Sequence, residues 1–145
     1  TNIVTLQNSG NAVLDTNSDQ AALIHEVTGL MRERFGLEIP VYAIEQESLR
    51  ELLAQSPAWW GHEDKAIYDN LIFLLPPHTA EELEEALGTP HPELEWVHPC
   101  GDAVFWSFDR QKYQKTNWWP RTAQEPAREW ITIRTAGTVR KLAAL

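Results

Sequence analysis

Leu71-Ile72-Phe73-Leu74-Leu75 restricts the fold more than any other segment of this chain. Side chains alternate between the two faces of an extended backbone, so five successive apolar residues make both faces apolar. A strand of that kind has to be covered on both sides and belongs in the middle of a sheet. The run extends to Pro77, is the longest apolar stretch in the chain, and falls far short of a membrane span. With 145 residues the chain can bury one core, or two small half-domains that share one.

The elements around this strand are read from periodicity and end signals. Asn2–Gln7 and Ala12–Asp15 read as strands joined by Asn8-Ser9-Gly10-Asn11, whose Gly and Asn accept the positive φ of a tight turn. Leu23, Ile24, Val27, Leu30, Met31 and Phe35 recur at helical spacing, with Thr16 and Asp19 at the start and Gly36 at the stop. Ile39–Ile44 reads as a strand, and Ser48 with Glu51 opens a second helix. Trp59–Asp69 reads as an irregular connection. Thr79 with Glu82 caps a short acidic helix closed by Gly88. Leu94–His98 and Ala103–Phe108 flank a hairpin turn at Pro99-Cys100-Gly101-Asp102. Pro120 and Pro126 interrupt Arg110–Arg128, after which come a strand over Trp130–Arg134 and a helix over Thr138–Leu145. The second half therefore reads as β-α-β-β-α-β, the ferredoxin-like unit, and the first half as the same unit without its opening strand and helix. In that topology the opening strand is central, which leads us to expect sequence upstream of Thr1.

Charge is distributed unevenly. From Arg110 onward there are eight basic residues against Glu125 and Glu129, a net of +6, while the first 109 residues carry −15. The tail interleaves its cations with aromatics (Arg110, Lys112, Tyr113, Lys115, Trp118, Trp119, Arg121), the chemistry that holds phosphate and stacks flat rings. A total of −9 disfavours general nucleic-acid affinity. Cys100 is the sole cysteine, which excludes an internal disulfide and any multi-cysteine zinc site and suits a reducing cytoplasm. The His residues make no i, i+4 pair, and no Walker loop, Rossmann fingerprint or nucleophile elbow is present.

Gln7-Asn8-Ser9-Gly10-Asn11-Ala12-Val13 resembles the "QSGN-V" hairpin of the bacterial family catalogued as domain of unknown function 1697. Trp59-Trp60-Gly61, Leu71-Ile72-Phe73-Leu74, Val104-Phe105-Trp106-Ser107, Lys115-Thr116-Asn117-Trp118 and Ile131-Thr132-Ile133-Arg134, followed by Thr138-Val139-Arg140-Lys141-Leu142, fit one branch of it in order. The resemblance implies an α+β fold of two ferredoxin-like subdomains, the first lacking its N-terminal strand and helix and with them a Gly-containing "RGINVGG"-like segment. The expected division is a first subdomain with its following helix over 1–57, a connection over 58–69 and a second subdomain over 70–145. Thr135-Ala136-Gly137 and Trp118-Trp119-Pro120-Arg121 depart from the family pattern. The resemblance carries no established activity.

The functional expectation is a cytoplasmic binding module for a small anionic ligand or nucleotide. Lys115, Arg121 and Arg134 would supply charge, Trp118 or Trp106 would stack, and Ser9 and Asn11 in the hairpin turn would add polar groups. One alternative is an enzyme acting on a small metabolite through the upstream segment with Ser9 or Asn11. Another is a self-associating or partner-binding protein using Trp59 and Trp60, since Trp is enriched at interface hot spots. No cofactor, metal or membrane association is expected. Cys100 beside His98 reads as an incidental cysteine, because nothing orients the imidazole.

Overall fold

In a computed structural model, which describes residues 3–6 and 10–145, the chain is a mixed α+β protein with two antiparallel sheets. The first is a hairpin of β1 (Ile3–Leu6) and β2 (Asn11–Leu14), in register Ile3↔Leu14 to Leu6↔Asn11. Gly10 has φ 79°, the positive value the turn chemistry predicts. Asn8 and Ser9 lie outside the described residues. The second sheet has the order β4-β5-β3-β6, formed by β3 (Ile67–Leu74), β4 (Glu95–Cys100), β5 (Ala103–Asp109) and β6 (Ile131–Thr135). Strand β3 is central: it pairs with β5 over Ile67↔Asp109 to Phe73↔Ala103 and with β6 over Asn70↔Thr135 to Leu74↔Ile131.

Both faces of this sheet are covered, as the run at Leu71 requires. On one face Ile72, Leu74, Val104, Trp106 and Phe108 pack against Leu83 and Leu87 of helix α3 (Ala80–Leu87) and against Trp118 of the basic tail. On the other, Leu71, Phe73 and Phe105 pack against Leu49 of α2 (Gln46–Ala54), Trp60, and Val139 of α5 (Ala136–Ala144). Leu71, Ile72, Leu74 and Phe105 have no accessible surface. Each such side chain contributes about 1.5–3 kcal/mol of burial free energy.

The cap expected at Thr79 forms, while two others lie elsewhere: Asp19 rather than Thr16 caps the first helix, and α2 starts after Glu45 with Ser48 inside it. Thr79 Oγ1 accepts the Glu82 N–H at 3.2 Å to open α3, and Asp19 Oδ1 accepts the Ala22 N–H at 2.8 Å to open α1 (Gln20–Phe35). At Gly36, φ 62°, the N–H groups of Gly36 and Leu37 return to the carbonyls of Arg32 and Met31, a Schellman stop. Two further readings differ from the structure. Residues Ile39–Ile44 form no strand; Tyr42 and Ile44 instead pack on the second core as an irregular segment. β propensity reflects fit to a pleated surface, and no described strand lies beside this segment to supply one. The apolar stripe of α1 is half covered: none of its residues is buried, and Leu30 and Phe35 are exposed.

The tail between β5 and β6 is built from a 3-10 turn at Tyr113–Lys115, the short helix α4 (Trp119–Thr122) and a second 3-10 turn at Ala127–Glu129. Pro120 stands in the first turn of α4, where its missing N–H has no consequence. No helix of the chain is long and apolar enough to cross a membrane.

Candidate functional site

The tail arginines and lysines behave differently. Arg121 Nη1 donates to the Leu87 carbonyl at 2.7 Å and so satisfies the C-terminal end of α3. Arg140 Nη1 donates to the Gly61 carbonyl at 2.6 Å while its guanidinium stands 5.3 Å from the Trp60 ring centroid. Arg110 lies 4.5 Å over the Tyr68 ring, and Arg128 pairs with Glu125 at 2.6 Å. Lys112, Lys115 and Lys141 are exposed. Arg110, Arg121 and Arg140 pin the tail to the body, since a planar fork can serve a carbonyl or a ring in a way a lysine point charge cannot.

Arg134 joins the two ends of the chain. Its Nε donates to Asn11 Oδ1 at 2.6 Å, and its Nη1 donates to Thr132 Oγ1 at 2.7 Å and to the Ile133 carbonyl at 2.8 Å. Burial draws its pKa below the usual arginine value, and the guanidinium stays charged at neutral pH. Asn11 and Arg134, both expected at the site, are thus in direct contact across 123 positions.

Arg134 also borders a cleft of about 330 Å³ between the sheet and α4, from the edge strand: it is the register partner of Leu71, so its side chain leaves β6 on the face opposite Asn70 and Trp106. Tyr68 and Asn70 of β3 and Trp106 and Phe108 of β5 form its sheet wall, Trp119 of α4 faces them, and Thr138 of α5 closes one end. Thr135 and Thr138 share a hydroxyl–hydroxyl hydrogen bond of 3.1 Å at the start of α5, where the helix dipole favours negative charge. Trp119 is 41% exposed and packs edge-on against Tyr113 with ring centroids 4.7 Å apart. Aromatic walls and hydroxyls at a helix start, with a cation on the adjoining edge strand, can accept a flat ligand with an anionic group.

A family model described as "Protein of unknown function (DUF1697)" matches residues 1–105. The chain belongs to the DUF1697 family. The match ends before the basic tail, so the cleft draws on residues inside it, such as Asn70, and outside it, such as Trp119. Among solved structures, this DUF1697 protein is similar to the conserved bacterial protein SP0830 from Streptococcus pneumoniae, with a TM-score of 0.79 at 19% identity over 98% of this chain and 78% of that one. At that identity the likeness speaks for the fold alone. No curated protein matches the chain.

In the DUF1697 chain the expected site residues are dispersed. Arg134 and Trp106 line the cleft, Asn11 touches Arg134, and Ser9 lies outside the described residues. Arg121 is occupied at α3, and Lys115 is exposed on its 3-10 turn. Trp118 has no accessible surface; its Nε1 donates to the Gly88 carbonyl at 2.8 Å, and its ring centroid is 6.2 Å from that of Trp106. Its neighbour Trp119 is the tryptophan that faces the cleft. Trp60 is 3% exposed and donates from Nε1 to the Asn70 carbonyl at 2.8 Å, while Trp59 packs at the edge of the same core.

Sequence reasoning did not single out three polar residues of the DUF1697 core. Glu95, 3% exposed, accepts hydrogen bonds from Trp106 Nε1 at 3.0 Å, His91 N at 2.9 Å, Asn117 N at 2.6 Å and Trp118 N at 3.4 Å, which ties the cleft wall to the tail. Asp69 accepts a hydrogen bond from the fully buried Ser107 hydroxyl on the opposite face. Asn70 lies on the floor of the cleft. Their only signal in the sequence is a polar letter inside or beside an apolar strand.

A second cleft of about 450 Å³ lies by the β4–β5 turn, lined by Tyr42, Glu45, Glu51, Gln55, Cys100 and Asp102 among others. Burial, and then the Asp102 charge, push the Tyr42 hydroxyl above its ordinary pKa. Among the described residues no three His, Cys, Asp or Glu side chains converge as a metal site.

Proposed function

We propose that this protein is a binding module for a small anionic ligand or nucleotide, held in the cleft between the sheet and α4. The observation that carries the reading is the meeting of the aromatic walls of Tyr68, Trp106 and Trp119 with the start of α5 in one cavity, beside the edge strand that carries Arg134. The half-buried guanidinium of Arg134, engaged with Asn11 and Thr132 on the other face of that strand, adds positive potential at the cleft edge. The hydroxyls of Thr135 and Thr138 at the α5 start add directed polar groups. Lys115 contributes to the long-range field around the entrance rather than to a fixed contact.

We also read the second half as a ferredoxin-like subdomain running from β3 at Ile67, three residues ahead of the boundary expected at residue 70, to the end of the chain, preceded by an incomplete first one. The order β4-β5-β3-β6 with all neighbours antiparallel supports this, with the α4 segment in the place of the second crossover helix. A single thiol suits a reducing bacterial cytoplasm.

The test is isothermal titration of the protein with inorganic pyrophosphate and adenosine monophosphate at two salt concentrations. We expect binding that weakens with salt and is lost, at least tenfold, in Arg134→Met, with the unliganded melting temperature recorded alongside. Wild-type affinity in a folded Arg134→Met protein, or no binding of either probe to the wild type, overturns the proposal.

A further inference from the structure

We propose that the ligand of this cleft carries a planar nitrogen heterocycle with an N–H donor, read by the side-chain amide of Asn70 and covered by Trp119. This rests on the reading of the cleft as an anion site and adds the chemical class of what the anion is attached to. Asn70 stands on the central strand with 6% exposure and lines the cleft. Its Nδ2 donates to the Tyr68 carbonyl at 3.3 Å, which fixes the way the amide is turned. Its Oδ1 accepts no hydrogen bond from the described residues, yet no buried side-chain oxygen or nitrogen among them lacks a partner. The oxygen is therefore reached from the cleft. A nearly buried acceptor aimed into a cavity is satisfied there by water or by a ligand donor.

The walls decide what kind of donor fits. Trp119 is held by two contacts, the Tyr113 ring and a hydrogen bond from its own N–H to Thr116 Oγ1 at 3.2 Å, so its ring is in place before any ligand arrives. Trp106 and Phe108 make the opposite side apolar. A sugar phosphate would bring hydroxyls against these rings and lose their hydration without return. A flat heterocycle stacks on Trp119 and offers an N–H in its own plane to Asn70, as the amino groups of adenine and cytosine do. The anionic group then falls toward the start of α5 and the edge strand β6.

Titration calorimetry with four probes tests this: adenosine monophosphate, cytidine monophosphate, 1-naphthyl phosphate and ribose 5-phosphate. At least one nucleotide is expected to bind about fivefold to tenfold more tightly than naphthyl phosphate, which has the flat ring and no N–H. Ribose 5-phosphate is expected to be weakest. Asn70→Leu should bring nucleotide and naphthyl phosphate to equal affinity and leave naphthyl phosphate unchanged. Trp119→Ala, at a partly exposed position, should weaken both ring compounds by about tenfold to a hundredfold and leave ribose 5-phosphate alone. If Asn70→Leu does not fold, the wild-type ratio and Trp119→Ala decide. Naphthyl phosphate binding as well as both nucleotides overturns the role of Asn70. Ribose 5-phosphate binding as well as they do overturns the ring while leaving the anion site intact. Failure of all four probes while pyrophosphate binds overturns the ring reading alone, and failure of all four and of pyrophosphate overturns the anion site itself.

Discussion

Glu95→Ala should be among the most damaging single substitutions in this protein, although Glu95 touches no helix interior and forms no ion pair among the described residues. The carboxylate is 3% exposed and takes three hydrogen bonds of 3.0 Å or less, from Trp106 Nε1, His91 N and Asn117 N, with a longer one from Trp118 N. Removing it leaves these donors without an acceptor, two of them on the fully or nearly buried residues Trp106 and Trp118. Hydrogen bonds to a charged group contribute about 1.5–3 kcal/mol each, and the relief of a buried charge offsets part of the loss. A net loss of about 3–5 kcal/mol follows, a large share of the roughly 5–15 kcal/mol that holds a typical domain together. Glu95→Gln keeps one carbonyl oxygen and turns an amide NH2 donor toward an N–H, so it should fall between wild type and Ala. Urea unfolding followed by tryptophan fluorescence measures both, with the midpoint moving and the slope unchanged. Glu95→Ala within 1 kcal/mol of wild type, or Glu95→Gln as damaging as Glu95→Ala, would refute the view of Glu95 as a shared acceptor.

Gly61→Ala should cost about 1–2 kcal/mol in the same assay, because Gly61 has φ 81° and a Cβ there meets the Arg140 guanidinium that serves the Gly61 carbonyl and the Trp60 ring. Tyr42 should titrate above its ordinary value in an ultraviolet pH titration, and Asp102→Asn should bring it down. Since the folded-state pKa is the raised one, the neutral hydroxyl stabilises the fold fully below the ordinary tyrosine value, and that contribution is lost as pH rises through the folded value. A stability curve that stays flat across that alkaline window, with Tyr42 shown to titrate there, contradicts this.

The parts of the fold legible in the sequence were those specified by local chemistry. The apolar run at Leu71, the cap at Thr79 and the left-handed glycine at Gly36 each act through residues within a turn of themselves, so their letters suffice. Ile39–Ile44 has strand-like letters, but a strand exists through its neighbour, and no neighbour is visible from one segment. The walls of the cleft were legible only in part. Trp106 was among the residues read as stacking and does line the cleft, yet the tail of cations and aromatics could not tell Trp118, which fills the core, from Trp119, which faces the cleft. That choice depends on which side of a single turn faces the sheet. Asn70 and Glu95 were missed because a lone polar residue in an apolar strand acquires meaning from what the fold places opposite it.

The position of β3 has a consequence for how the chain is made. One edge of this strand is covered by β5, about 30 residues later, and the other by β6, about 60 residues later. Until residue 135 has left the ribosome, Leu71–Leu74 presents an open hydrogen-bonding edge with apolar side chains above and below, the state most prone to pair with another nascent chain. The acidic helix α3, with Glu81, Glu82, Glu84 and Glu85, follows it within six residues. Emerging next to that edge, its charge keeps like chains apart during the interval in which β6 is still to come.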